Sequence, residues 1–193
     1  MQKLTTDDLL SLERYHKERP RMRAEVLEHK RHRQAPIGQH VTLYFEDRVT
    51  MRYQVQEMLR AERIFESEAI AEELEAYNPL IPDGTNLKAT MMLEYPDVAQ
   101  RRVALEQLKG VEDRVYIEVG TLGRVFAHAD EDLDRSDDTK TSAVHFLRFE
   151  LEPAMRAALK SGSPLKLGVD HEHYRQELAG SAELGRSLAA DLD

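Results

Sequence analysis

Residues 41–65 read VTLYFEDRVTMRYQVQEMLRAERIF. In the first part of this stretch, Val41, Leu43 and Phe45 fall on one side of an alternating pattern, which predicts a strand with one buried face. After Asp47, apolar residues recur at the spacing of a helix down to about Arg63. This strand-to-helix junction is predicted to anchor the fold.

Strand-like and helix-like segments do not alternate strictly along the rest of the chain. Most predicted strands have one polar face, which is typical of an antiparallel or mixed sheet. We therefore predict an α+β fold with a single domain, in which a sheet of about five to six strands is covered by helices. Residues 1–35 are expected to form a peripheral basic helical arm with two helices that meet near Pro20, residues 40–170 the core, and residues 174–193 a helical tail.

Composition excludes several classes of protein. The 193 residues include 41% hydrophobic residues, enough for one core, but no apolar run of about 18 that would span a membrane. The N-terminus MQKLTTDDLL lacks the basic and apolar regions of a signal peptide, so a cytoplasmic protein is expected. Because the chain has no cysteine, any metal must be held by His, Asp, Glu or Tyr.

The charge is uneven along the chain. A net charge of −9 makes nucleic-acid binding an unfavoured function. Against this background, residues 14–33 form a basic arm, and an acidic loop follows residue 129, with acidic residues Asp130, Glu131, Asp132, Asp134, Asp137 and Asp138. The basic arm is interpreted as a solvated helix face or as a surface that docks an acidic partner or nucleic acid. Pairing of the two segments, within one chain or in a homodimer, would explain both of them.

Two polar residues fall on predicted apolar faces. On a helical wheel Glu62 lies among the apolar residues of the 49–65 helix, unless that helix ends early and leaves it in solvent. His145 lies on the core side of the strand AVHFLRFEL, as a hydrogen-bonded neutral histidine or a metal ligand. Since each could satisfy the other, we hypothesise that Glu62 and His145 meet.

Two further sets of residues are candidates for binding. His171 and His173 follow the last predicted strand, with a spacing that can chelate a metal from one face, although exposed histidines without a role fit as well. Tyr53, Glu57 and Arg60 lie on the polar face of the central helix and form a candidate ligand-binding set for an anionic substrate, or an ordinary solvated face.

The segments FEDRVTMRYQVQEMLRAERIF, YNPLIPDGTNLKAT, DEDLDR and DKTSAVHFLRFEL carry a resemblance to a known family. With them, nearly the whole chain resembles a bacterial family known only as a domain of unknown function. Members of that family are often encoded near rubrerythrin and iron–sulfur oxidoreductase genes, which implies a link to iron or peroxide metabolism and a redox-protein partner. The resemblance implies no catalytic residues.

These observations lead to three functional hypotheses. The first is a metal-binding or redox-accessory protein that holds Fe, Mn or Zn through some of Glu62, His145, His171 and His173. The second is a non-catalytic interaction module or homodimer that uses the basic arm and the acidic loop. The third is an enzyme that acts on a small anionic substrate. The chain lacks phosphate-binding and dinucleotide-binding glycine motifs, so no nucleotide cofactor is predicted.

Overall fold

Two antiparallel sheets with surrounding helices make up the protein in a computed structural model, which describes residues 2–133, 135–137 and 139–193. The helices in these residues are α1 (Leu12–Arg31), α2 (Arg48–Glu62), α3 (Ser67–Tyr77), α4 (Val98–Gln107), α5 (Pro153–Lys160) and α6 (Ala182–Ala189). The strands are β1 (Gln34–Ile37), β2 (Val41–Glu46), β3 (Asn86–Leu93), β4 (Val115–Val119), β5 (Arg124–Phe126), β6 (His128–Ala129), β7 (Val144–Glu150), β8 (Leu165–His171) and β9 (Tyr174–Ala179). The predicted α+β class is confirmed.

The strands divide between two sheets, whereas one was expected. Sheet A has the order β1-β2-β3-β7-β6, and sheet B has the order β5-β4-β8-β9. Both sheets contribute to one apolar core, with Leu43 and Phe45 from sheet A and Ile117 and Leu167 from sheet B fully buried or nearly so. Because alternation reports only that a strand has a buried face, it does not say which sheet the strand joins.

The junction between β2 and α2 is the strand-to-helix transition that the sequence predicts. Asp47 caps α2, because its Oδ1 accepts hydrogen bonds from the backbone N–H groups of Val49 and Thr50, both at 2.9 Å. In return, Thr50 Oγ1 accepts the N–H of Asp47 at 2.9 Å. This reciprocal pair satisfies donors that a helix start leaves free, so the direction of the chain is fixed here.

A second apolar cluster lies between α2, α3 and the N-terminal segment. Its buried members are Leu4, Met51, Val55, Leu59, Leu74 and Ile81. The apolar face that the helical wheel predicts for α2 is therefore buried, with helices and the N-terminal segment as its partners.

The basic arm contains one long helix where two were expected. A short 3-10 turn covers Thr6–Asp8, and α1 then runs without interruption through Pro20. A proline within a helix removes one hydrogen bond, but Tyr15 and Val26 on either side of it are buried. Tertiary packing thus keeps the helix continuous.

The C-terminal segment begins with a strand, so the expected helical tail is wrong at its start. Tyr174 pairs with His171, and the pairing continues to Ala179 opposite Lys166, before α6 begins at Ala182. Pairing with β8 decides the conformation of β9, whereas the apolar residues Leu184 and Leu188 that follow are buried in α6.

The outer strand of sheet A, β1, contains Pro36, and the opposite edge strand, β6, has only two residues.

None of the helices in the described part of the chain is long and apolar enough to cross a membrane.

Candidate functional site

The N-terminal segment lies across α2 and α3 and is held there by specific hydrogen bonds. Lys3 Nζ donates to the carbonyl oxygens of Asn78 (2.6 Å) and Ile81 (3.0 Å). Farther along, the backbone N–H of Leu10 donates to Gln56 Oε1 at 2.6 Å, and Gln56 Nε2 donates back to Leu10 O at 3.3 Å. Gln56 is completely buried, so this pairing fixes the segment against α2.

Asp8 positions two arginines from the first turns of α2. Its Oδ1 accepts a hydrogen bond from Arg48 Nη2 at 2.5 Å, and its backbone carbonyl accepts one from Arg52 Nε at 2.7 Å. The backbone N–H of Thr5, together with the Arg48 guanidinium, lowers the pKa of Asp8 to about 2. Asp8 is therefore ionised at neutral pH and orients both guanidinium groups.

A groove of about 360 Å³ lies between α1 and the start of α2, and we call it the α1–α2 groove. This volume is within the range of pockets for small ligands. The groove is lined by Leu10, Arg14, Glu18, Arg21, Met22, Glu25, Val26, Arg48, Val49, Arg52 and Tyr53.

The charges in the α1–α2 groove do not all cancel. Arg21 is paired with Glu18 at 3.0 Å and with Glu25 at 2.7 Å, so this charge is compensated. Arg14 and Arg52, by contrast, have no carboxylate within 4.0 Å among the residues that the structure describes. Two guanidinium groups thus face a concave surface without a counterion, on a protein whose net charge is −9.

The predicted ligand set of Tyr53, Glu57 and Arg60 is only partly in this groove. Tyr53 lines it, whereas Glu57 binds Arg19 through two hydrogen bonds of 2.7 and 2.8 Å and accepts a third from Tyr15 at 2.5 Å. The Arg19 guanidinium lowers the pKa of Glu57 to about 2. Glu57 therefore ties α1 to α2, and Arg60 is exposed outside the groove lining.

The sequence-based reasoning missed Arg14, Arg48 and the orienting role of Asp8. Arg48 and Arg52 lie four residues apart, which is a signal for one helix face. Nothing in their spacing points to Asp8, which is distant in the sequence and reaches them only through the fold.

The hypothesis that Glu62 points into the core and meets His145 is wrong. Glu62 is the last residue of α2, and the next residue, Arg63, adopts a left-handed conformation with φ of 58° that ends the helix. Glu62 is exposed and lies close enough to Glu73 of α3 to raise the pKa of that carboxyl, although burial is the larger cause. A helical wheel gives the direction of a side chain but not how far the packed partners of the helix extend, and at the last residue of α2 this side chain is exposed.

His145 is fully buried, as predicted, within a network of hydrogen bonds that closes the acidic loop onto sheet A. Its Nδ1 donates to Asp130 Oδ2 at 2.5 Å, and its Nε2 lies 2.8 Å from Thr141 Oγ1 and 3.1 Å from the Ser142 carbonyl. Thr141 in turn donates to Glu112 at 2.9 Å. With both ring nitrogens occupied, His145 holds the loop in place.

His171 and His173 lie at the β8–β9 hairpin, in different environments. His171 is buried; its Nε2 donates to Lys109 O at 3.1 Å, and its Nδ1 accepts the backbone N–H of His173 at 3.2 Å. The His173 ring is exposed, and its Nε2 lies 3.6 Å from the carboxylate of Glu172.

These positions do not fit a shared metal site. In residues 2–133, 135–137 and 139–193, no group of three or more His, Asp or Glu side chains is arranged to hold a metal ion. Both buried histidines use their two ring nitrogens in protein hydrogen bonds, which leaves no lone pair for a metal.

Among the described residues, no ion pair joins the basic arm to the acidic loop. Within α1, Lys17 pairs with Glu13 and Arg31 with Glu28. In the acidic loop, Arg135 pairs with Asp132 at 2.7 Å. The expected pairing between the two segments within one chain is not found among the described residues; Asp134 and Asp138 of the acidic loop lie outside them.

Comparison with known proteins places the chain in a family. A family model described as "Protein of unknown function (DUF3501)" matches residues 3–192. The chain belongs to the DUF3501 family. A DUF3501 relationship agrees with the sequence-based resemblance to a family of unknown function. No match was found among curated proteins.

A solved structure has the same fold as this DUF3501 protein. It is the crystal structure of a novel protein of unknown function from Burkholderia pseudomallei K96243, 52% identical in sequence, with a TM-score of 0.95 over 100% of both chains. The identity is high enough for the match to report relationship as well as fold.

Proposed function

We propose that this DUF3501 protein binds a small organic anion, carrying a carboxylate or phosphate group, in the α1–α2 groove. The observation that carries the proposal is the pair of guanidinium groups of Arg14 and Arg52, which line the groove without a carboxylate partner among the described residues. Guanidinium groups bind carboxylates and phosphates through paired charge-assisted hydrogen bonds.

Preorganisation supports the proposal. The hydrogen bond from Arg52 Nε to Asp8 O holds the side chain, and its two terminal nitrogens donate to no residue that the structure describes. Arg48 is held by the Asp8 carboxylate, and its Nε is buried without a hydrogen-bond partner among the described residues. A site whose donors are already oriented loses less conformational entropy when a ligand binds.

The groove also has an apolar part that selects against simple inorganic ions. Val49 is 50% exposed there, and Met22 and Leu10 are half-buried beside it. A ligand that combines an anionic group with a short apolar body would cover this surface. We therefore expect an organic acid or phosphate ester to bind more tightly than inorganic phosphate.

The experiment compares wild type with the double variant Arg14→Gln/Arg52→Gln, using phenyl phosphate and inorganic phosphate as probes. Isothermal calorimetry at constant ionic strength is expected to give a phenyl phosphate Kd at least about tenfold weaker for the double variant, which is about 1.4 kcal/mol. Wild type is expected to bind phenyl phosphate more tightly than inorganic phosphate. Arg23→Gln is the matched control, because Arg23 is exposed on the same helix as Arg14 and does not line the groove. Equal phenyl phosphate binding by all three proteins, or none by wild type, would refute the proposal.

The other functional hypotheses have less support from the described residues. A metal-binding or redox-accessory role is implied by the family resemblance and stays a prediction, without support from the positions of Glu62, His145, His171 and His173. Elemental analysis of untagged protein tests it. The homodimer prediction is tested by measuring the mass in solution at low and high salt.

A further inference from the structure

Lys88 occupies an unusual position in the middle of sheet A. In the strand register it lies between Glu46 of β2 and Arg148 of β7. The Glu46 carboxylate forms no ion pair with Lys88; its two oxygens accept hydrogen bonds from Thr50 (2.7 Å) and Thr90 (2.8 Å).

Arg148 is also bound elsewhere. It donates to both Glu131 oxygens at 2.7 Å and to Glu150 at 2.7 Å. As a result, Lys88 has no hydrogen bond or ion pair with any residue that the structure describes, although it is half-buried. A half-buried lysine amine without an acceptor is rare, because its charged form normally recruits one.

Lys88 lines a cavity of about 510 Å³. This cavity shares no lining residue with the α1–α2 groove. Its lining combines charged groups, including Arg148, with the aromatic rings of Tyr77 and Phe146 and the side chain of Leu80. Aromatic rings pack favourably against a planar ring of similar size.

The surroundings of Lys88 make its amine easier to deprotonate than that of a solvated lysine. Burial, followed by the nearby positive charge of Arg148, lowers the pKa of Lys88, and the carboxylates of Glu131 and Asp83 oppose this shift. The neutral form of an amine is the nucleophile, and desolvation beside another cation is one of the ways in which proteins activate lysine. Lys88 therefore combines a place in the lining of a cavity with the absence of a hydrogen-bond or ion-pair partner among the described residues.

We propose that Lys88 is a nucleophilic amine that forms a reversible imine with a small aromatic aldehyde bound in this cavity. The nitrogen lone pair attacks the carbonyl carbon, and the oxygen takes up the proton that the nitrogen releases. The resulting hydroxyl group then leaves as water, with the second amine proton, as the C=N bond forms. One amine and one aldehyde thus give one imine and one water, so no oxidant or reductant is consumed.

The experiment uses benzaldehyde as the probe and sodium cyanoborohydride to convert any imine into a stable benzylamine. Chymotryptic peptides are quantified by mass spectrometry after limited labelling of the folded wild-type chain at neutral pH. Lys88 is expected to carry several-fold more label than any other lysine, including the exposed Lys17 and Lys140. The same labelling in concentrated urea is expected to show no preference, because unfolding removes the cavity.

A variant and a reversibility control distinguish specific labelling of Lys88 from general labelling of lysines. Lys88→Arg keeps the positive charge but has no nucleophilic amine, so the peptide with position 88 is expected to carry no label, the other lysines are expected to keep their wild-type labelling, and the melting temperature is expected to stay near that of wild type. Without cyanoborohydride, dialysis is expected to remove the probe, as an imine requires. Label spread evenly over the lysines of the folded wild type, or an unlabelled Lys88, would overturn the proposal without need of any variant.

Discussion

Replacement of Arg33 by methionine should test how the C-terminal helix is attached to the rest of the protein. The Arg33 side chain is only 2% exposed. Its guanidinium donates to the carbonyl oxygens of Phe45 (3.1 Å) and Glu46 (3.2 Å), to Ser187 O (3.2 Å) and to the carboxylate of Asp191, which is equally buried. One side chain thus links β2 to α6 and the residues after it.

The expected loss follows from what Arg33→Met leaves behind. Removing one partner of a buried ion pair costs about 3–5 kcal/mol, because the other charge stays buried without compensation. Three carbonyl groups also lose a donor. We expect the free energy of unfolding to fall by about 3–5 kcal/mol at pH 8, a large part of the total for a domain of this kind.

The loss of stability caused by Arg33→Met is expected to depend on pH through Asp191. Burial raises the pKa of Asp191 from 3.8 to about 6, against the opposing effect of Arg33. A raised pKa in the folded state contributes stability that is present below the unfolded pKa and lost as the pH rises through the folded pKa. Without Arg33 the folded pKa of Asp191 rises further, so the deficit of Arg33→Met should be smaller at pH 5 than at pH 8.

Urea unfolding followed by circular dichroism at the two pH values measures the effect. Arg23→Met is the control and should change stability by less than about 0.5 kcal/mol, since Arg23 is exposed. The double variant Arg33→Met/Asp191→Leu should recover part of the loss, because it removes the uncompensated charge. A deficit below about 1 kcal/mol, or one equal at both pH values, would refute this account.

Three further substitutions test other contacts. Glu57→Gln should cost about 1–2 kcal/mol at pH 7 through loss of the charge-assisted bonds from Arg19. The folded pKa of Glu57 is about 2, below the usual 4.5, so its contribution to stability is present above pH 4.5 and is lost as the pH falls toward 2. The free energy of unfolding of the variant should therefore change less between pH 4.5 and pH 2 than that of wild type. An equal change in the two proteins would contradict the reasoning. His145→Leu should cost about 2–4 kcal/mol in urea unfolding, whereas a loss no greater than at a surface site would show that the network is dispensable. Gly168→Ala should lower the melting temperature, since its Cβ would overlap the ring of Tyr116, and this loss should shrink in a Tyr116→Leu background.

Local features of the fold are well predicted from the sequence. The β2–α2 junction is predictable because Asp47 both ends the alternating pattern and caps the helix, so two neighbouring signals agree. The exposed position of Glu62 is not predictable from the sequence, because α2 ends at Arg63 in a left-handed conformation that this residue type does not favour. Pairing with β8 likewise decides the conformation of β9.

The candidate site is harder to predict for a physical reason. The α1–α2 groove depends on Asp8, which lies in a short turn and contacts arginines that are distant in the sequence. Glu57 is a second case in which sequence spacing is not enough. Its spacing indicates a free polar face, yet Arg19 and Tyr15 bind its carboxylate. Only the packing of α1 on α2 distinguishes a free arginine from a paired one.

Pro36 in β1 has a consequence for how copies of this protein can associate. Proline lacks the N–H that a neighbouring chain would need, and the Ile37 carbonyl next to it already accepts a hydrogen bond from Tyr174 at 2.6 Å. At the opposite edge of sheet A, β6 offers only two residues. Neither edge is a template for strand addition, so self-association through sheet A would have to use side-chain surfaces, and runaway fibrillar growth from these edges is disfavoured.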